Sequence, residues 1–244
     1  MNHFEKLSGL LECSTEAAWR ETVFSLGKEL GFDQTLLAIF PDRDAPIEAS
    51  HAFLHSNYSS RWRSKYDDES LGYVDPTVTH CLTKTTPLIW SPELFSTRRQ
   101  QEMYEEACSF NLRSGLTLPI HGPNGEVGIL CFVSDDKADK DFKRHAYEKL
   151  PEVSCLRDFI FESSTHFRRA PPTLPRERPA LTRCELECLK WSAIGKTSWE
   201  TAKILLCTEA TVNFHFSNIR RKMNVTTRRQ AVVKAIRLGM IYPS

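Results

Sequence analysis

The 244-residue chain has eight cysteines but no Cys-x-x-Cys pair. Zinc frameworks and disulfide scaffolds normally space their cysteines more tightly. Cys13, Cys81, Cys108, Cys131, Cys155, Cys184, Cys188 and Cys207 therefore read as small hydrophobes in a reducing compartment. No apolar run approaches the roughly 20 residues of a membrane span. The opening MNHFEKLSGLLECSTEAAW carries acids and no long apolar core, so no secretory signal and a cytoplasmic location are expected. Gly-x-Ser-x-Gly and a phosphate loop are both missing, which argues against an enzyme, and no metal site is expected. A phosphorylated receiver domain is poorly served too. Acids follow a strand in FPDRDAP (40–46), but no later strand ends in a lone Asp followed by Thr or Ser and Lys.

What is present is divided. The hydrophobic share of 41% and charged share of 26% are ordinary for a globular protein. The net charge of +1 hides an asymmetry: residues 178–244 hold 12 Lys/Arg against 4 Asp/Glu, leaving 20 against 27 in the rest. A basic third (+8) joined to an acidic two thirds (−7) suggests separate tasks, the basic part meeting a polyanion. Between them, STHFRRAPPTLPRERPA (164–180) carries Pro171, Pro172, Pro175 and Pro179 with almost no large apolar residue. Four prolines exclude a helix interior or central strand and predict a semi-extended linker. The boundaries expected are 1–165, a linker at 166–178, and 179–244.

Before the linker the pattern is mixed. Helices fit about 14–30, 98–110 and 141–163, and strands fit QTLLAIF (34–40), GLTLPIH (115–121) and VGILCFV (127–133). The turn signal GPNGE joins the last two strands as a hairpin. This predicts an α+β layered domain. After the linker everything reads as helix. Thr182-x-x-Glu185 and Thr197-x-x-Glu200 are capping boxes, Gly195 and Gly239 are stop signals, and Thr208 is an N-cap. Four short helices, at about 183–194, 198–205, 208–223 and 227–238, form an all-α helix-turn-helix arrangement.

The third of these, TEATVNFHFSNIRRKM, has an unusual surface. Val212, Phe216, Ile219 and Met223 make one buried stripe, while Ala210, Phe214, Ser217 and Arg221 face the other way. In a DNA-binding module, the first residues of such a helix (Thr208, Glu209, Ala210 and Thr211) reach toward base edges. Asn213 suits a base edge or a phosphate, and Phe214 a thymine methyl. Asn218 flanks the face, and Arg220, Arg221 and Lys222 suit phosphates. The alternative is a solvated basic helix with Phe214 packed on a neighbour.

LTRCELECLKWSAIGKTSWETAKILLCTEATVNFHFSNIRRKM (181–223) resembles the C-terminal domain of LuxR-type transcription factors. The resemblance implies that the fourth helix helps to form a homodimer, with Val232, Val233 and Ile236 as apolar candidates. It also implies promoter DNA and RNA polymerase as partners. The same module occurs in phosphorylation-controlled regulators, so it does not name the input.

For the input, residues 56–90 are dense in aromatics with polar tips. A helix through 58–66 would put Tyr58, Trp62 and Tyr66 on one face, suited to a small amphipathic ligand. By periodicity alone these residues read as core, and Asp75-Pro76 as an ordinary helix start. Yet Trp62, Tyr66, Asp75, Pro76, Trp90 and Gly115 are similar, in order and spacing, to the N-acyl-homoserine-lactone-binding domain of LuxR-type receptors. That resemblance implies an N-terminal α-β-α sandwich with the ligand between sheet and helices, and no cofactor beyond it. Trp62 would then donate to the lactone carbonyl, Asp75 accept the amide N–H, and Tyr58 donate to the amide carbonyl. Thr77, Cys131 and Thr117 would add polar partners, Arg63 would reach a 3-oxo group through water, and Tyr66, Trp90 and Leu36 would pack around the ring. Ala38 and Ile129 would line the acyl chain. Both are larger than their counterparts in a long-chain family member, and Cys131 stands in place of Ser. A shorter chain or a different 3-substituent is therefore expected. The alternative is the same receptor fold responding to a non-lactone molecule.

Overall fold

Strand alternation sets the first unit. β1 (Gln34–Phe40), β2 (Phe53–Ser56), β3 (Leu88–Ile89), β4 (Ser114–His121) and β5 (Val127–Ser134) form one antiparallel sheet in the order β2-β1-β5-β4-β3. Neighbouring side chains on a strand point to opposite faces. Leu37, Ile39, Leu116, Leu118, Leu130 and Phe132 pack with Trp19, Phe142, Leu156 and Ile160, from α1 (His3–Leu11), α2 (Glu16–Glu29) and α6 (Lys140–Ser164) and their surroundings. Leu36, Ala38, Ile129, Cys131 and Val133 point the other way, toward α3 (Ser60–Asp68), α4 (Pro76–Thr83) and α5 (Arg98–Ser109). This is the expected α-β-α sandwich. The computed structural model describes residues 3–168 and 179–242, and the chain divides into two units, Met1–Pro171 and Pro172–Ser244. Most of the expected linker, 169–178, lies outside the described residues.

The expected hairpin is β4–β5, paired from Ser114↔Ser134 to His121↔Val127. Two strands and one helix add to the expected set, β2, β3 and α1, while α4 begins at the Asp75-Pro76 start read from the sequence. β3 has two residues, too few for a periodic signal. One expectation is corrected: α3 starts at Ser60 with Ser59 as N-cap, so Tyr58 precedes the helix rather than sharing its face.

The second unit holds α7 (Arg183–Ala193), α8 (Ser198–Ile204), α9 (Glu209–Met223) and α10 (Arg228–Arg237). Capping boxes open α7 from Thr182, α8 from Thr197 and α10 from Thr227. Cys188, Leu189, Ala202, Ala231 and Ala235 surround the buried α9 stripe of Val212, Phe216, Ile219 and Met223.

Gly128 sits where a Cβ would lie 2.6 Å from the Ala38 carbonyl oxygen. Backbone in a paired strand cannot step aside as a side-chain tip can. Gly128→Ala is expected to destabilise the first unit by about 1–3 kcal/mol, read as a lower denaturant midpoint; an unchanged midpoint would contradict this packing.

Candidate ligand cavity and DNA-reading helix

The helices over the second face of the sheet do not close on it. A cleft of about 650 Å³ of empty space, its open mouth included, is lined by Leu36, Ala38, Phe40, Leu54, Ile129 and Cys131 from the sheet. Tyr58, Arg63, Tyr66, Asp67, Asp75, Thr77, Val78 and Trp90 line it from the helical side, with Ile47, Glu48 and Ala49 at a loop. A smaller lobe of about 320 Å³ shares Asp75, Thr77 and Trp90 and adds Trp62, Phe95, Met103, Tyr104, Ala107 and Leu112. Ala38 and Ile129 are direct cross-strand partners, as are Leu36 and Cys131. Each pair thus presents two side chains at one level of the cleft floor.

Asp75 lies where the lobes meet. It is also the N-cap of α4: its Oδ1 accepts from Thr77 N–H at 2.8 Å, and Pro76 occupies the first turn. Its Oδ2 accepts from the Tyr66 hydroxyl at 2.9 Å. Both readings of Asp75-Pro76, helix start and site residue, therefore describe the same carboxylate. Burial raises its pKa, against hydrogen bonds from Thr77, Tyr66 and Val78 that lower it. Burial also pushes the phenols of Tyr58 and Tyr66 well above their ordinary range, so both keep their protons as donors. The Cys131 thiol is pushed up to about 12 by burial and is a neutral, weak donor.

Among the described residues, the buried Tyr58 hydroxyl has no hydrogen-bond partner. An unpaired buried hydroxyl costs about 1–3 kcal/mol. Trp62 is 3% exposed and packs against Tyr66 and Phe110. Trp90 is held from behind: its indole N–H donates to Thr117 Oγ1 at 2.7 Å, and Thr117 Oγ1 lies 3.3 Å from Cys131 Sγ. Gly115 leaves room for that ring, since a Cβ there would lie 2.6 Å from it.

Of the residues expected at the ligand, Leu36, Ala38, Tyr58, Arg63, Tyr66, Asp75, Thr77, Trp90, Ile129 and Cys131 share the main cleft, and Trp62 lines the smaller lobe. Thr117 lines neither; it is buried one layer behind Trp90 and Cys131. The Arg63 guanidinium is engaged by both carboxylate oxygens of Asp67, at 3.0 and 3.2 Å, and lies over the Tyr66 ring. Sequence reasoning passed over Phe95, Met103, Tyr104, Ala107 and Leu112. The i,i+4 pair Met103 and Ala107 on α5 was the available signal. The Ile47–Ala49 stretch offered none.

In the second unit, α9 opens at Thr208, whose Oγ1 accepts from Thr211 N–H at 3.1 Å. Glu209, Ala210, Asn213, Arg220, Arg221 and Lys222 are exposed, and Phe214 is 63% exposed. Thr211 and Asn218 are half-buried. Lys222 is not a free cation: its ammonium lies 2.8 Å from the carboxylate of Glu185, which is buried. The Arg221 guanidinium donates to Asn218 Oδ1 at 3.2 Å. On α10, Val233 and Ile236 are exposed, whereas Val232 packs into the core.

Residues 15–164 match the family model described as the autoinducer binding domain, and residues 179–235 match that of bacterial regulatory proteins of the luxR family. VanR of Vibrio anguillarum, a transcriptional activator protein, is 33% identical over 198 residues, covering 81% of this chain and 80% of VanR. AnoR of Acinetobacter nosocomialis, also a transcriptional activator protein, is 30% identical over 237 residues, covering 96% and 97%. The fold is that of SdiA in complex with octanoyl-rac-glycerol, with a TM-score of 0.69 at 23% identity over 99% of this chain and 96% of that one. The chain belongs to the LuxR family of transcriptional regulators, with a small-molecule-binding domain followed by a helix-turn-helix DNA-binding domain. It is a ligand-dependent regulator of a family that is not enzymatic.

The raised Asp75 pKa gives a signed prediction. In acid both folded and unfolded states are protonated. As pH rises, the unfolded carboxyl ionises first, so the stability contributed by the protonated buried form is lost as pH passes the folded pKa. Wild-type stability should fall relative to Asp75→Asn as pH rises out of the ordinary carboxylate range toward neutrality. A difference in melting temperature that stays flat with pH would refute it.

Proposed function

We propose that the cleft takes an N-acyl homoserine lactone and that the protein is a quorum-sensing receptor. The observation that carries this is a pair of polar groups: a Tyr58 hydroxyl in the main cleft without a partner among the described residues, and, where the two lobes meet, an Asp75 carboxylate with lone pairs to spare. An amide satisfies both, its carbonyl accepting from Tyr58 and its N–H donating to Asp75. The lactone ring then sits in the Trp62 lobe, against Trp90 and Phe95, its carbonyl accepting from the Trp62 indole. The acyl chain runs over the floor of Leu36, Ala38, Phe40 and Ile129. The Ala38 and Ile129 pair narrows that floor, which favours a chain shorter than twelve carbons. The ligand completes the core of residues 1–165 and stabilises the folded state by mass action. Across the linker at 166–178, residues 179–244 form a dimer through Val233 and Ile236 and read a palindromic promoter site with RNA polymerase as partner, in the cytoplasm.

The test is expression in a host that makes no acyl homoserine lactone, with lactones of different chain lengths added singly. Soluble yield, melting temperature and mass spectrometry of the retained compound are read. One lactone of intermediate length should rescue solubility and co-purify, and Tyr58→Phe should weaken that rescue by roughly tenfold in the concentration required. Equal behaviour with every lactone, none retained, would sink the lactone assignment. Preference for a twelve-carbon chain would sink the chain-length inference alone. For DNA, Arg220→Ala is expected to lower the slope of log affinity against log salt by about 0.9, the value of one phosphate contact. An unchanged slope would remove Arg220 from the phosphate set.

A further inference from the structure

The exposed face of α9 is less free than its accessibility suggests. Ser198, the first residue of α8, donates from Oγ to Asn213 Oδ1 at 2.8 Å. The same Oγ accepts from Arg228 Nη1 at 2.9 Å. Arg228, from α10, is held in turn. Its Nε donates to Ser192 Oγ at 2.7 Å, its Nη2 donates to the Lys196 carbonyl at 3.0 Å, and its guanidinium lies 3.9 Å from the centre of the Phe216 ring. A guanidinium has only donors, so it leaves the single hydrogen of the Ser198 hydroxyl unused. That hydrogen goes to the amide oxygen of Asn213. Donation therefore runs one way, from Arg228 through Ser198 to Asn213, and the network decides which amide atom is which. Oδ1 is tied back, and Nδ2 is left for whatever meets the exposed face.

We propose that Asn213 meets DNA with its amide oriented by Ser198 and Arg228 as positioning residues, so that Nδ2 is the atom presented. This rests on the reading that α9 faces DNA. An asparagine that specifies adenine uses both ends of its amide, donating to N7 and accepting from the N6 amino group. Ser198 takes one of the two lone pairs of Oδ1, so Asn213 would have to make that bidentate pairing with the other, against the orientation Ser198 imposes. The partners open to Nδ2 are acceptors: guanine O6 or N7, adenine N7, thymine O4, or a phosphate oxygen. The orientation of this side chain is then set from the helices on either side of α9 in the chain, by Ser198 of α8 and Arg228 of α10.

The test is selection of binding sites from randomised duplexes by the full chain, prepared with and without N-octanoyl homoserine lactone. Wild type is compared with Asn213→Ala, Ser198→Ala and Ser198→Thr, all checked for an unchanged melting temperature. The base pair whose preference collapses in Asn213→Ala marks the contact; a uniform loss across sequences marks a phosphate. At a marked base pair, wild type should prefer guanine or thymine, and Ser198→Ala should admit adenine at least threefold more often. For a phosphate, Ser198→Ala should weaken all sites alike, by at least threefold. In either arm Ser198→Thr, which keeps the hydroxyl, should restore wild-type behaviour. Adenine strictly selected by wild type and unchanged in Ser198→Ala overturns the proposal, as does a Ser198→Ala protein identical to wild type in affinity and preference. Wild type that enriches no sequence in either preparation overturns the DNA-facing reading of α9, and this assignment with it.

Discussion

The first unit is organised around one buried carboxylate. Taking a carboxylate out of water is costly unless hydrogen bonds replace the lost solvent. Asp75 recovers part of that cost by capping α4 through Thr77 and by accepting from Tyr66, which fixes one helix start and one aromatic wall together. α5 is tied to the same place, because Gln100 Nε2 donates to the Val74 carbonyl at 3.0 Å. The burial that still raises the Asp75 pKa shows that the compensation is incomplete. A hydrogen-bond donor reaching this carboxylate would offset more of that cost.

The sheet explains why the remaining demand falls on one side only. Each strand sends alternate residues into two different environments. Leu37, Ile39 and Leu130 enter a closed core against Trp19, Leu156 and Ile160. Leu36, Ala38 and Ile129, the alternate residues of the same strands, face helices that leave a cleft. The closed layer holds the sheet, and the other layer leaves the cleft. Trp90 belongs to the open layer but is anchored through Thr117 and seated over Gly115, so the rim is ordered where ring stacking is needed.

How much of this was legible in the chain depended on whether the signal was local. Long periodic segments and caps were readable: the β4–β5 hairpin, the α9 stripe and the Thr182 and Thr197 boxes follow from neighbours in sequence. The start of α3 was misplaced because an aromatic at every fourth position mimics a helix, whereas Tyr58 sits in a bend between the end of β2 and the N-cap Ser59. Tyr58 still reaches the cleft, by the path of the chain rather than by helical repetition. Thr117 had the right chemistry and the wrong depth, since spacing cannot show whether a hydroxyl faces a cavity or the indole beside it. The Phe95 and Met103 lobe depends on how α5 crosses the sheet, which no local pattern encodes.

The charge argument has the same boundary. An excess of eight positive charges in residues 178–244 points to a polyanion, but formal charge does not count contacts. Lys222 is held by Glu185, whose other hydrogen bond caps the start of α7 through Thr182 N–H at 2.7 Å. Burial alone would raise the Glu185 pKa, yet the bonds from Lys222 and Thr182 bring it below the ordinary range, so this pair is charged and internal. Arg228 is likewise spent on Ser192, Ser198 and the Lys196 carbonyl. These two cations tie α7, α8 and α10 to α9 and fix the face that α9 presents. Formal charge therefore overstates the cations free to meet a polyanion, and the two that are engaged set the geometry in which Asn213 and Phe214 are presented.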